Sequence, residues 1–99
     1  MIIARVIGTA VSTIKDERLG NLTLLVVGQA DVQGRVTGEP FVAADLVGAG
    51  EGELVFVAQG STARQAVGAL SAPVDAAIVG ILNSLSCEGR VTFSKQYDQ

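Results

Sequence analysis

Hydrophobic and polar positions along the chain alternate in short runs, the pattern of strands with two differently solvated faces. From Ile2 to Thr13 the even positions include the small residues Ala4, Gly8, Ala10 and Ser12. The odd positions carry Ile3, Ile7 and Val11 beside Arg5, Thr9 and Thr13. This predicts a long first strand whose small-residue face is approached closely by another segment. A polar loop follows over Lys15-Asp16-Glu17-Arg18 and Gly20-Asn21. Leu22 to Asp31 predicts a second strand, apolar on both faces at its centre and so covered on both. Asp31 to Arg35 and Gly38-Glu39-Pro40 predict a mobile connection. Phe41 to Val47 reads as the third strand and Glu53 to Gln59 as the fourth.

A short helix is expected from Ser61 to about Val67, capped by the Ser61 hydroxyl and ended near Gly68. After Pro73-Val74, the segment Asp75 to Leu82 mixes signals. Ala76-Ala77 suits a helix, whereas Ile78, Val79 and Ile81 suit a strand, and strand is the reading adopted. Val91-Thr92-Phe93 predicts a last short strand before a polar tail from Ser94. Five main strands and one short helix in 99 residues fit a small, mainly β, closed or nearly closed barrel, with residues 1–99 as one domain.

Composition adds a reason to self-associate. The chain is 48% hydrophobic and 17% charged, against about 25% charged in an average globular chain. A domain this small has much surface to cover, so a shortage of charge leaves apolar area for a subunit interface. The net charge is −3, and the seven Lys and Arg residues are scattered, so no basic patch for nucleic acid is visible. No apolar run approaches the roughly 18 residues of a membrane span, and the first residues do not read as a signal peptide. The expected location is the cytoplasm, without nucleic-acid or membrane partners.

Candidate chemistry is sparse. The chain has no histidine, which removes the commonest general base and metal ligand. The lone Cys87 reads as a partly buried small hydrophobe, and neither metal nor cofactor is expected. Gly48-Ala49-Gly50-Glu51-Gly52 invites a nucleotide-loop reading, but Glu53 stands where the dinucleotide fingerprint needs glycine. A strand rather than a helix follows, so no helix N-terminus is offered to a phosphate. Asp45 and Asp75 sit among alanines and valines, which favours hydrogen-bond acceptance or pairing with Arg5 or Arg64 over acid–base work. Ser61 has no histidine to activate it. An enzyme is therefore not expected.

Several runs in order carry a family resemblance: Ala4-Arg5-Val6-Ile7-Gly8-Thr9, Leu24-Leu25-Val26-Val27, Ala43-Ala44-Asp45-Leu46-Val47-Gly48-Ala49-Gly50, Gly60-Ser61-Thr62-Ala63-Arg64, and Pro73-Val74-Asp75-Ala76-Ala77-Ile78-Val79-Gly80-Ile81. Over almost its whole length the chain resembles the vertex proteins of bacterial microcompartments, the EutN/CcmL type. The resemblance implies a five-stranded, OB-like β-barrel that forms a homopentamer and closes the vertices of a polyhedral shell built mostly from hexameric shell proteins. The tail from Phe93 to Gln99 resembles cyanobacterial carboxysome members, which implies a CO2-fixing compartment. The central part is also compatible with a catabolic metabolosome, and a free ligand-binding small barrel is the reading from a different class. In a pentamer, crowding at the five-fold axis favours small side chains. On that ground Gly48, Ala49 and Gly50 are expected to line or adjoin an axial pore. Ser61 is expected nearby, with Asp45 and Arg64 supporting the loop.

Overall fold

The computed structural model describes residues 1–11, 22–68 and 74–97. Five strands close into a barrel in the order β1-β2-β3-β5-β4. They are β1 (Ile2–Thr9), β2 (Thr23–Ala30), β3 (Val36–Asp45), β4 (Leu54–Gln59) and β5 (Ala76–Ile81), with the helix α1 (Gly60–Ala66) between β4 and β5. All neighbours are antiparallel except β3 and β5, which run parallel and pair only at Ala44 with Ala77 and Asp45 with Ile78. Two further strands, β6 (Ser84–Cys87) and β7 (Arg90–Ser94), form a separate hairpin that ends in a 3-10 turn, Lys95–Tyr97. The mainly β closed five-stranded barrel with one short helix is the architecture the alternation predicts.

A barrel of so few strands has little interior room, and the sequence fits it. Ala4 and Val6 of β1, Leu25 and Val27 of β2, Ala43 of β3, Val55 and Val57 of β4, and Ala76 and Ile78 of β5 form one buried cluster. The small-residue face of β1 therefore points inward. Its large odd-numbered side chains turn out, Ile3 toward an outer cluster and Ile7 exposed on the protomer. Two outer clusters explain why β2 and β4 are apolar on both faces. Leu54, Leu82, Ala30 and Phe93 pack together with Ile3, Phe56 and Leu85, so the β6–β7 hairpin covers the outside of the β1–β4 pair. Ala44 and Val74 pack with Leu22, Leu24 and Val67 beside α1.

Four expectations change. The connection predicted from Asp31 to Pro40 is mostly strand: β3 starts at Val36, and Pro40 pairs with Gly28. Proline is tolerated there because the other edge of β3 is paired only at Ala44 and Asp45, so no ladder hydrogen bond is lost. The actual turn is tight. Asp31 Oδ1 accepts the Gln33 and Arg35 amides at 2.9 and 3.0 Å, and the Asp31 amide donates to the Arg35 carbonyl at 2.9 Å.

The second change is at α1, whose N-cap is Gln59 with no side-chain cap hydrogen bond. Its first amide is satisfied by the chain before β5, the Gly60 N–H donating to the Asp75 carbonyl at 2.8 Å, and Ser61 lies exposed one residue inside the helix. Third, β6 and the hairpin it makes with β7 were not expected, and Cys87, expected to be partly buried, lies exposed at the end of β6. Glu88 and Gly89 both have positive φ, 53° and 78°, the backbone of a two-residue hairpin turn. Fourth, β1 ends at Thr9 rather than Thr13, with the Ala10 amide still reaching the Leu24 carbonyl at 3.1 Å. Ser12, Thr13, the polar loop to Asn21, Pro73 and the last two residues of the tail lie outside the described residues.

Ile78 is fully buried at the point where β5 meets both β3 and β4. Ile78→Ala should cost about 2–5 kcal/mol, read by urea unfolding at fixed protomer concentration. A cost below about 0.5 kcal/mol would show that the seam does not depend on this side chain.

Candidate functional site

β3 ends at Asp45, and from there residues 46–53 cross to β4 as the glycine loop. The Leu46 amide still joins β5, donating to the Ile78 carbonyl at 3.2 Å. From Val47 to Gly50 the chain leaves the strands before Gly52 rejoins β1, so the amides there need acceptors from elsewhere. Asp45 supplies them at the start. Its carboxylate accepts the Val47 amide at 3.1 Å through Oδ1 and the Ala49 amide at 3.1 Å through Oδ2. Ala49 packs its methyl group against the barrel core. Gly48 has a φ of 76°, and a Cβ built there would meet nothing within 4 Å, so this residue faces open space on the protomer.

The other end of the loop is held by residues the sequence did not single out for this role. Glu53 Oε1 accepts the Gly50 amide at 2.7 Å, and Glu53 Oε2 accepts from Lys95 Nζ at 2.7 Å. The Lys95 hydrogen bond and then the Gly50 amide hold the Glu53 carboxyl below its ordinary value. The Gly52 amide donates to the Val6 carbonyl at 2.8 Å. From β1, Arg5 donates through Nη1 to the Gly52 carbonyl at 2.7 Å and through Nε to the Gly34 carbonyl at 2.8 Å. Its guanidinium carbon sits 5.9 Å from the centre of the Phe93 ring, within cation–π range. Gly34 must be glycine for this: it has a φ of 84°, and a Cβ there would lie 2.4 Å from Arg5 Nη2.

The structure thus brings Asp45, Ala49 and Gly50 into one hydrogen-bonded loop. Ser61 and Arg64 belong to α1, and Arg64 Nη1 reaches the Val74 carbonyl at 3.5 Å rather than the loop. The arrangement disposes of the phosphate-cradle reading physically. Amides that would face an anion are already engaged by the chain's own Asp45 and Glu53 carboxylates, whose negative charge repels a second anion. Among the described residues no three His, Cys, Asp or Glu side chains gather as a metal set. None of the described helices is long and apolar enough to cross a membrane.

Comparison with known proteins points one way. A family model described as "Ethanolamine utilisation protein EutN/carboxysome" matches residues 1–83. The chain is 44% identical over 97 residues to the carboxysome shell vertex protein CcmL of Nostoc sp., covering 97% of this chain and 96% of that one.

The chain belongs to the EutN/CcmL family.

The family's solved structures share its backbone. Nostoc CcmL superposes with a TM-score of 0.87 at 45% identity, covering 96% of this chain and 100% of that one. The GrpN pentameric microcompartment shell protein of Rhodospirillum rubrum superposes with a TM-score of 0.79 at 42% identity, covering 88% and 99%. Another relative stands almost as near: the bacterial microcompartment shell vertex protein EutN of Salmonella typhimurium is 40% identical over 95 residues, 96% of each chain. These EutN/CcmL relatives are structural shell proteins, not enzymes.

Two measurements check the loop's bracing. Asp45→Ala removes the acceptor for the Val47 and Ala49 amides and should cost about 1–3 kcal/mol in urea unfolding, with Asp45→Asn costing less because its amide oxygen still accepts. Equal costs would show that the side-chain acceptor is irrelevant. Glu53 gives a pH dependence. Its folded carboxyl lies below the ordinary value, so its contribution is complete above about pH 5 and is lost as the pH falls through that lowered value. The stability difference between the native chain and Glu53→Gln should therefore be flat from neutrality to about pH 5 and shrink below it. A difference that grows on acidification would contradict this.

Proposed function

We propose that this chain is the structural vertex subunit of a bacterial microcompartment, assembling as a homopentamer that closes a polyhedral shell in the cytoplasm, with a carboxysome as the first choice of compartment. The observation that supports this most is near end-to-end similarity to proteins named as shell vertex proteins, one of whose solved relatives is described as pentameric. The protomer itself gives a second, independent reason. Val36, Val42, Leu46 and Val47 are 38–47% exposed along β3 and the turn after it, a row of apolar side chains that water disfavours and a neighbouring copy would cover. The partners outside the pentamer are hexameric shell proteins of the facets. The similar identity to EutN keeps a metabolosome as the second reading.

Within the pentamer we place the Gly48-Ala49-Gly50 stretch at or beside the five-fold axis, with the Ser61 end of α1 close by. Gly48 supports this placement, since it has no side chain and opens onto space that another copy could enter. Asp45 shapes the loop from behind, and Arg64 supports the neighbouring strand entry through the Val74 carbonyl.

Deleting the gene is the direct test. Hexagonal tiles alone build flat sheets, so the deletion strain should form facets that fail to close, seen as open or elongated compartments by electron microscopy. The enclosed enzymes should keep their activity in a lysate. Regular closed polyhedra in a strain with no second vertex gene would overturn the vertex reading. A reconstruction of the assembled shell that puts Gly48 on the outer rim of the pentamer would overturn the axial placement alone. Enzymes that copurify with intact compartments separate the two compartment types, RuBisCO and carbonic anhydrase marking the carboxysome.

A further inference from the structure

We propose that the β6–β7 hairpin is a strut that sets the conformation of the glycine loop, with Lys95 as the positioning residue. The family match ends at residue 83, so the whole hairpin lies beyond the matched segment. Yet it is firmly seated on the barrel. Phe93 is 6% exposed and packs with Leu54 and Leu82, directly beside the start of β4. The neck is pinned as well, the Lys95 amide donating to the Asn83 carbonyl at 2.8 Å. From that fixed base the Lys95 side chain reaches Glu53.

The two oxygens of one carboxylate then do two jobs. Lys95 takes Oε2, and this contact fixes the rotamer that presents Oε1 to the Gly50 amide. Glu53 is otherwise an ordinary glutamate at a strand entrance, with several rotamers of similar energy and water for company. Without the ammonium its carboxylate is free to turn to solvent, and the Gly50 amide loses its acceptor. A second line runs through the same hairpin: the Phe93 ring lies against Arg5, whose Nη1 holds the Gly52 carbonyl. Gly50 and Gly52 are thus tied to the hairpin from both sides. A loop with glycine at positions 48, 50 and 52 has little stiffness of its own, so these ties select its shape. Changes in the hairpin retune the loop without touching it, wherever in the assembly the loop lies.

The test uses the full-length, assembled protein and amide hydrogen exchange by NMR. In Lys95→Met the Gly50 amide should exchange roughly three- to tenfold faster, the range expected when one exposed charge pair and the hydrogen bond it orients are lost. The Gly50 amide proton should also lose the deshielding given by a carboxylate acceptor. Amides of the barrel core, Val57 and Ile78, should be unchanged, and Lys95→Arg should restore Gly50 to native behaviour. An unchanged Gly50 in Lys95→Met would overturn the proposal. So would a uniform rise at Gly50, Val57 and Ile78, because that is global loosening rather than release of one loop. Neither result bears on whether the chain forms shell vertices, so this inference and the vertex reading fail separately.

Discussion

The barrel closes through a two-residue parallel contact between β3 and β5, Ala44 beside Ala77 and Asp45 beside Ile78. Every other strand pairing is longer and antiparallel. A contact so short cannot hold by its ladder alone. It is held by what surrounds it: Ala43, Ala44, Ala76 and Ala77 are all buried and let the backbones come close, while Ile78 fills the interior behind them. Alanine is a poor strand former, so these positions give up local propensity for proximity. The order of the remaining strands follows, since β4 must reach from β1 to β5 to complete the ring.

The seam also decides where the chain's few charges are used. Asp45 is the last residue of β3, and its carboxylate holds loop amides that have no strand to pair with. Glu53 does the same at the loop's far end. In both, a charged acceptor meets a backbone donor, an interaction roughly twice as strong as its neutral counterpart. With these carboxylates and Arg5 committed to shaping backbone, the loop presents its glycines together with the exposed Leu46, Val47 and Glu51. That is the chemistry of a component that fits against copies of itself, and it agrees with a family whose members are shell proteins.

Much of the barrel was legible in the sequence because period-two alternation survives wherever one face is buried. All five barrel strands were read, including β5, where Ala76-Ala77 argued for helix and the β-branched Ile78 and Val79 decided correctly. The start of β3 was missed because Gly38 and Pro40 look like breakers, and only the tertiary position of that stretch as a half-free edge makes them tolerable. The β6–β7 hairpin was missed because its turn is Glu88-Gly89. Asn-Gly or Asp-Gly would have signalled it, whereas glutamate seldom takes positive φ. Serine capping was a sound local rule at Ser61, overridden by the Asp75 carbonyl arriving from a distant segment. Asp45 was legible as a hydrogen-bond acceptor from its alanine-rich surroundings. Lys95 was not, because it lies 42 residues from Glu53 and nothing local marks the pair.

The central claim is that this barrel is the protomer of a closed five-membered ring. Native mass spectrometry of the purified, full-length protein at low micromolar concentration measures that most directly. The account predicts one dominant species with the mass of five copies of the 10.1 kDa chain, stable to moderate dilution. A monomer, or a series of sizes with no preference for five, would contradict it.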